Sequence, residues 1–385
     1  MLRREFLKGS VAAAGVAVLA PRAARAAPAV RYSNLLVLVE LKGANDGLNT
    51  VVPYADPSYY GLRPRIAIKR EEVVRLDERF GLHPSLAPLM PLWQARELAI
   101  VQGLGYPNPN LSHFRSIEIW DTASKAEEYL HDGWLVRAFA AAPVPGSFAA
   151  DGVAIGSNDF GPLAGGGART IALANTEQFA RQARLAQPTR AAGNAALAHI
   201  LKVESDVVQA AGSLGGGVAL QTAFPQGAFG NAVRTAAQVI ASPAGVAAVR
   251  LSLNGFDTHQ NQPAVHANLL RQLAEGLVAL KGALVELGQW NATLVVTYSE
   301  FGRRAQENGS NGTDHGTANV HFALGGRVAG GFHGAAPRLD RLDGGNLVHT
   351  VDFRSLYATV LERWWGIPSA APLGGRFPTL ELVRA

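Results

Sequence analysis

Apolar residues in this chain fall into short unbroken runs separated by glycine- and asparagine-rich stretches. "NLLVLVEL" (34–41) is apolar without a break from Leu35 to Val39 and carries a glutamate, Glu40, near its end. A run with no polar alternation predicts a strand buried on both faces, as in a parallel sheet. "LAIVQG" (98–103), "VAAVRLSL" (246–253), "TLVVTY" (293–298) and "VHFALGG" (320–326) read the same way. Between them, "HPSLAPLMPLWQAREL", the stretch from about 263 to 288 and "DFRSLYATVLERWWG" carry apolar residues at helical spacing. "NPNLSHFRSIEIW" predicts a loop entering a helix, with Ser112 at the N-cap position. Strands alternating with helices predict an α/β fold with a mostly parallel central sheet and helices on both faces.

Two regions depart from this pattern. From about 174 to 229 the composition turns to Ala, Gln, Gly and Ser, which predicts a helical insertion or flap. At the start, "MLRREFLKGSVAAAGVAVLAPRAARA" sets Arg3 and Arg4 before a mildly apolar run and a small-residue "ARA" site. That order predicts a twin-arginine signal over 1–26, recognised by the twin-arginine translocase. The remaining 27–385 would be one α/β domain bearing the insertion. The apolar run is too short to span a bilayer, so the mature chain is expected to carry no integral membrane segment. Export places the protein in the periplasm or outside the cell.

Charge and composition narrow the chemistry. The chain's net charge is +5, and Arg3, Arg4, Lys8, Arg22 and Arg25 against Glu5 place most of it in the signal. No basic stripe with interleaved aromatics remains, so nucleic acid is not an expected partner. With no cysteine in the chain, disulfides, thiolate ligands and a cysteine nucleophile are excluded. Any metal must be held by histidine and oxygen donors. Neither a P-loop nor a GxGxxG fingerprint occurs between a strand and a helix.

Polar residues gather just past the predicted strands. Glu40, Asn45 and Asp46 follow the first, Asp257 and His259 follow 246–253, and Glu300 and Arg303 follow 293–298. Asp314 and His315 occupy the loop "NGTDHG". In a parallel sheet these ends share one edge, where ligands bind. Carboxylates brought together resist joint ionisation unless a cation neutralises them. Carboxylates mixed with imidazoles suit zinc, manganese or iron. Taken singly, each residue could equally be a structural ion pair or cap. As a set, Glu40, Asp257, His259, Glu300, Asp314 and His315 are the candidate metal ligands. Gly312 and Gly316 are expected to let the loop turn sharply. In "LSHFRS", Ser112 is a candidate nucleophile, Arg115 a candidate anion clamp and His113 a candidate base or ligand. His321 and His333 flank the last predicted strand and are candidates to stand behind the site. The other histidines read as structural or surface groups.

"LVELKGANDGLN", "GYPNPNLSHFRS", "GFDTHQNQ", "SEFGR" and "GTDHG" followed by "LGG", in this order, resemble the domain of unknown function 1501 family. These are exported proteins grouped with the alkaline phosphatase and sulfatase superfamily. The resemblance implies an alkaline phosphatase-like α/β sandwich holding divalent metal, most simply zinc, and cleaving small anionic phosphate or sulfate esters. It implies that Glu40 corresponds to a first-strand metal carboxylate, Asp257 and His259 to an aspartate–histidine pair, and His315 to a later histidine. Ser112 would correspond to the nucleophile, with Arg115 holding the anion. Three features depart from the superfamily: Phe301 stands where it usually has a histidine, the first-strand acid is glutamate, and no sulfatase "CxPSR" occurs. The alternatives are a metal- or ligand-binding protein without turnover and a modification enzyme using a redox metal.

Overall fold

A computed structural model of the protein describes residues 29–174 and 218–384. The expected signal, and residues 175–217 of the expected insertion, lie outside them. The strands are β1 (Leu35–Lys42), β2 (Val51–Val52), β3 (Val74–Arg75), β4 (Gly81–Leu82), β5 (Leu98–Gly105) and β6 (Ala150–Ile155). They continue with β7 (Thr170–Leu173), β8 (Val246–Asn254), β9 (Thr293–Tyr298), β10 (Asn319–Leu324), β11 (Gly331–His333) and β12 (Val351–Asp352).

The main sheet runs in the order β11-β5-β10-β9-β1-β8-β6-β7, with β12 also paired to β5, and β2, β4 and β3 form a small separate sheet. β1 pairs parallel with β8 and β9, and β6 pairs parallel with β7 and β8. β10 runs against both of its neighbours, β5 and β9. The mostly parallel α/β architecture expected from the sequence is therefore present.

The unbroken apolar runs are explained by burial on two faces. Leu35, Val37, Val39 and Leu41 of β1 enter one core with residues of the helices Ala228–Ile240 and Gln262–Glu286. Leu36 and Leu38 enter the opposite core with Trp120, Trp134 and Trp365. At the foot of β1 the two closing indoles donate to backbone carbonyls, Trp364 Nε1 to Leu35 at 3.0 Å and Trp365 Nε1 to Asn34 at 2.7 Å.

Two predicted helices differ in detail. The segment after His83 is a 3₁₀ turn, Pro84–Leu89, continued by a short α-helix, Met90–Gln94. Pro88 and Pro91 supply no amide hydrogen, so one long helix cannot form there. The closing helix is regular over Phe353–Ala358 and widens to a π-turn over Thr359–Trp365.

Because β5, β1, β8 and β9 all point one way, the loops after them open on a single edge. β10 points back, so the loop before it reaches the same edge.

Candidate functional site

Five segments meet at that edge, and a buried polar framework fixes them. Arg303 is 1 % exposed. Its guanidinium donates to Ala44 O at 2.7 Å, Thr313 O at 3.0 Å and Phe256 O at 3.1 Å, and also to Gly43 O. Three segments are thus tied to one side chain. Gln262, at the start of a long helix, accepts from Thr258 Oγ1 at 3.0 Å and Thr313 Oγ1 at 2.6 Å, and donates to Asp46 Oδ2 at 2.5 Å. Asp46 is paired in turn with the buried Arg63 at 2.5 Å.

On this framework three imidazoles point at one another. His315 Nε2 lies 3.0 Å from His113 Nε2 and 2.9 Å from His259 Nε2. Asp257 Oδ1 lies 3.3, 3.0 and 3.4 Å from the Nε2 atoms of His113, His259 and His315 respectively. Each ring is anchored through its other nitrogen. His113 Nδ1 meets Glu300 Oε1 at 2.7 Å, His259 Nδ1 meets Asp314 Oδ1 at 3.2 Å, and His315 Nδ1 meets Leu111 O at 2.8 Å. A carbonyl oxygen can only accept, so His315 carries its proton on Nδ1 and turns a lone pair inward. Carboxylates at the other two Nδ1 atoms favour the same tautomer.

Charge follows this geometry. The Glu300 hydrogen bond outweighs burial and raises the pKa of His113. Burial lowers that of His315, helped by the nearby charges of His113 and Arg303. Burial would raise the pKa of Asp257, but the hydrogen bond and charge of Arg303, 2.7 Å away, hold it at about 2. Asp257 is therefore an anion among three inward-facing nitrogens. Its side chain is 48 % exposed, so the cluster is open to solvent on one side.

Of the expected ligands, Asp257, His259 and His315 are brought together. Glu300 and Asp314 lie behind imidazoles instead, and Asp314 touches His259 rather than its neighbour His315. Glu40 is elsewhere, buried between Arg250 Nη2 at 2.8 Å and Ser252 Oγ at 2.7 Å on the adjacent strand. His113, read from sequence only as a base or ligand at a helix start, joins the cluster. Its signal was its place in "LSHFRS": the loop after β5 ends there, and Ser116, one turn on, donates from Oγ to Glu300 O.

Arg115 does not face the cluster. It donates to Ala126 O at 2.9 Å and Lys125 O at 3.2 Å, pairs with Glu118 and covers the Tyr129 ring. Ser112 is exposed, and its hydroxyl makes no capping hydrogen bond. It stands between Leu111 and His113, both of which contact the cluster. His321 is buried against Trp120, and His333 contacts Ala329 O at 2.8 Å, so neither backs the site.

The "NGTDHG" loop is a paired segment and not a free turn. Arg304 N donates to Asp314 O at 3.0 Å and Gly316 N to Gly302 O at 2.9 Å. The left-handed residue is Asn311, with φ 56°. The two glycines serve close approach instead. A Cβ on Gly312 would come within 2.3 Å of the His259 carbonyl, and one on Gly316 within 2.4 Å of the Arg303 backbone.

In comparisons with known proteins, the family model described as "Protein of unknown function (DUF1501)" matches residues 98–367. No match is found among curated proteins. Similar solved structures include the PsFucS1 sulfatase from Pseudoalteromonas sp., at 12% identity and TM-score 0.38, covering 90% of this chain and 70% of that one. The C-terminal periplasmic domain of EcEptC from Escherichia coli, in a complex with Zn, has 11% identity and TM-score 0.36, covering 77% and 74%. A TAB5 alkaline phosphatase mutant with Mg bound has 12% identity and TM-score 0.33, covering 76% and 91%.

Proposed function

The chain belongs to the DUF1501 family, whose description assigns no activity, and we propose from its site that it is an exported, metal-dependent hydrolase of phosphate or sulfate esters. The observation that carries this reading is the convergence of three imidazole Nε2 atoms on Asp257 Oδ1, with every Nδ1 anchored. Lone pairs at about 3 Å repel unless a cation lies among them. A tetrahedron of zinc-length bonds has edges of about 3.4 Å, close to the observed separations. Among the described residues, His113, Asp257 and His315 each offer a donor atom within 4.8 Å of the other two. His113, His259, His315 and Asp257 would hold the ion, and zinc suits this donor set.

A divalent cation there would polarise an ester oxygen and lower the pKa of water. Glu300, Asp314 and the Leu111 carbonyl fix the tautomers and keep the lone pairs inward, as anchored metal-binding histidines require. Arg303 keeps Asp257 ionised. Ser112, its hydroxyl free of capping, is the nucleophile on the chain itself.

A second reading, a redox-metal enzyme, is favoured by one observation. Arg115 turns away and Arg303 spends its donors on loop carbonyls and Asp257, so neither clamps an ester's negative charge. Elemental analysis of protein exported by its own signal, with turnover of 4-nitrophenyl phosphate and 4-nitrophenyl sulfate, separates the two. Bound zinc with chelator-sensitive ester turnover supports hydrolysis. Bound iron, copper or manganese without ester turnover supports the second reading. Lysine at positions 3 and 4 should leave precursor in the cytoplasm.

A further inference from the structure

A cavity of about 450 Å³, sharing no residue with the histidine cluster, lies beside β5 and the start of β10. Its walls are mostly apolar, including Leu48, Val51, Val320, Ala336 and Leu347. Two amides line it. That of Asn319 is fully used, donating to Asn45 O and Phe301 O at 3.0 Å each and accepting from Val320 N at 2.8 Å. That of Gln102 is not. Gln102 is 4 % exposed, and among the described residues nothing hydrogen-bonds its side chain, although its backbone is held in β5. Its polar atoms are not sealed among protein groups, so the amide is open to the cavity it lines, where an occupant can take up its donors and acceptor.

The mouth carries no net call for charge. Arg338 is neutralised by Asp340 through bonds of 2.8 and 2.7 Å. Arg341 and Asp343 share the rim.

We propose that this cavity is a binding site for a small neutral molecule with an apolar body and a carboxamide or lactam group. The Gln102 amide offers one acceptor and a donor pair side by side, which a carboxamide matches in both senses. The volume lies in the range of small-molecule sites, and few polar groups among apolar walls are their usual lining. The site is independent of the metal reading.

The test uses the full mature chain with benzamide and, as its counterpart without the amide, toluene, each titrated and followed by protein NMR. Benzamide should saturate the residues around Gln102, Val320 and Ala336 at one equivalent. Gln102→Leu should weaken benzamide about tenfold or more while leaving toluene unchanged or tighter. Ala336→Trp, which fills the cavity, should abolish both. The proposal is overturned if benzamide perturbs nothing at the cavity, or if Gln102→Leu binds benzamide as well as the parent does. Unchanged thermal stability of the variants keeps either result apart from a folding defect.

Discussion

His113 Nδ1 lies 2.7 Å from Glu300 Oε1. That contact decides which nitrogen of the ring faces the cluster. Glu300 is itself held by Gly43 N at 2.9 Å and Ser299 Oγ at 3.0 Å, so the carboxylate cannot swing to the inner face without abandoning both. Its role is orientation. Glu300→Gln should weaken metal affinity by about ten- to a hundredfold without abolishing it, the usual effect of losing an outer partner. Competition with a chelator of known affinity measures this, and an unchanged affinity would contradict the role.

Glu40 provides the contrasting case. Burial raises its pKa, and the charge of Arg250 opposes that rise. Glu40→Gln should destabilise the fold by about 1–3 kcal/mol, as expected when a buried charged partner is left imperfectly matched. Metal stoichiometry should stay at the wild-type value. A loss of metal with unaltered stability would return Glu40 to the ligand set.

The Asp46–Arg63 pair carries the framework under the site. Both side chains are buried, 1% and 0% exposed. Asp46→Ala leaves a buried guanidinium and frees Gln262, so it should cost about 3–5 kcal/mol in denaturant unfolding. A cost below 1 kcal/mol would mean that the loops are fixed by something else.

Much of the fold is readable in the sequence, because a strand buried on both faces has to be continuously apolar. "NLLVLVEL" and "TLVVTY" could hardly be anything else once short lengths and flanking glycines are considered. The strand-end positions of Asp257, His259 and His315 were legible for the same reason: parallel strands deliver their loops to one edge. What spacing cannot give is depth. Glu300 and Asp314 sit one bond too far back, behind the rings they orient, and nothing in the order of residues distinguishes a ligand from its support. Glu40 was misplaced by parity. It falls on the same face of β1 as Leu36 and Leu38, opposite Ser252 in register, where a neighbouring arginine takes it. His113 was legible as a base or ligand but was not grouped with the strand-end set, because the serine before it and the arginine after it suggested anion chemistry.

Stability should fall with acid well before carboxylates protonate. Burial lowers the pKa of His83 to about 4 and those of His266 and His321 to about 3, from 6.5. The unfolded chain therefore takes up these protons near pH 6.5 while the folded chain does not. Stability is greatest above that pH and is lost as pH falls toward 4, by about 1.4 kcal/mol per unit for each histidine. Thermal unfolding of metal-free protein between pH 7.5 and 5 should show the melting temperature dropping. A flat profile would contradict the buried neutral histidines.

The central claim is that His113, His259, His315 and Asp257 hold one divalent ion. The most direct measurement is the metal content of the purified exported protein beside His113→Ala and His259→Ala, with circular dichroism as the control for folding. The account predicts about one equivalent in the parent and little in either variant, with unchanged far-ultraviolet spectra. Wild-type metal content in both variants, or a parent that takes up no zinc, manganese or iron after dialysis against each, would contradict it.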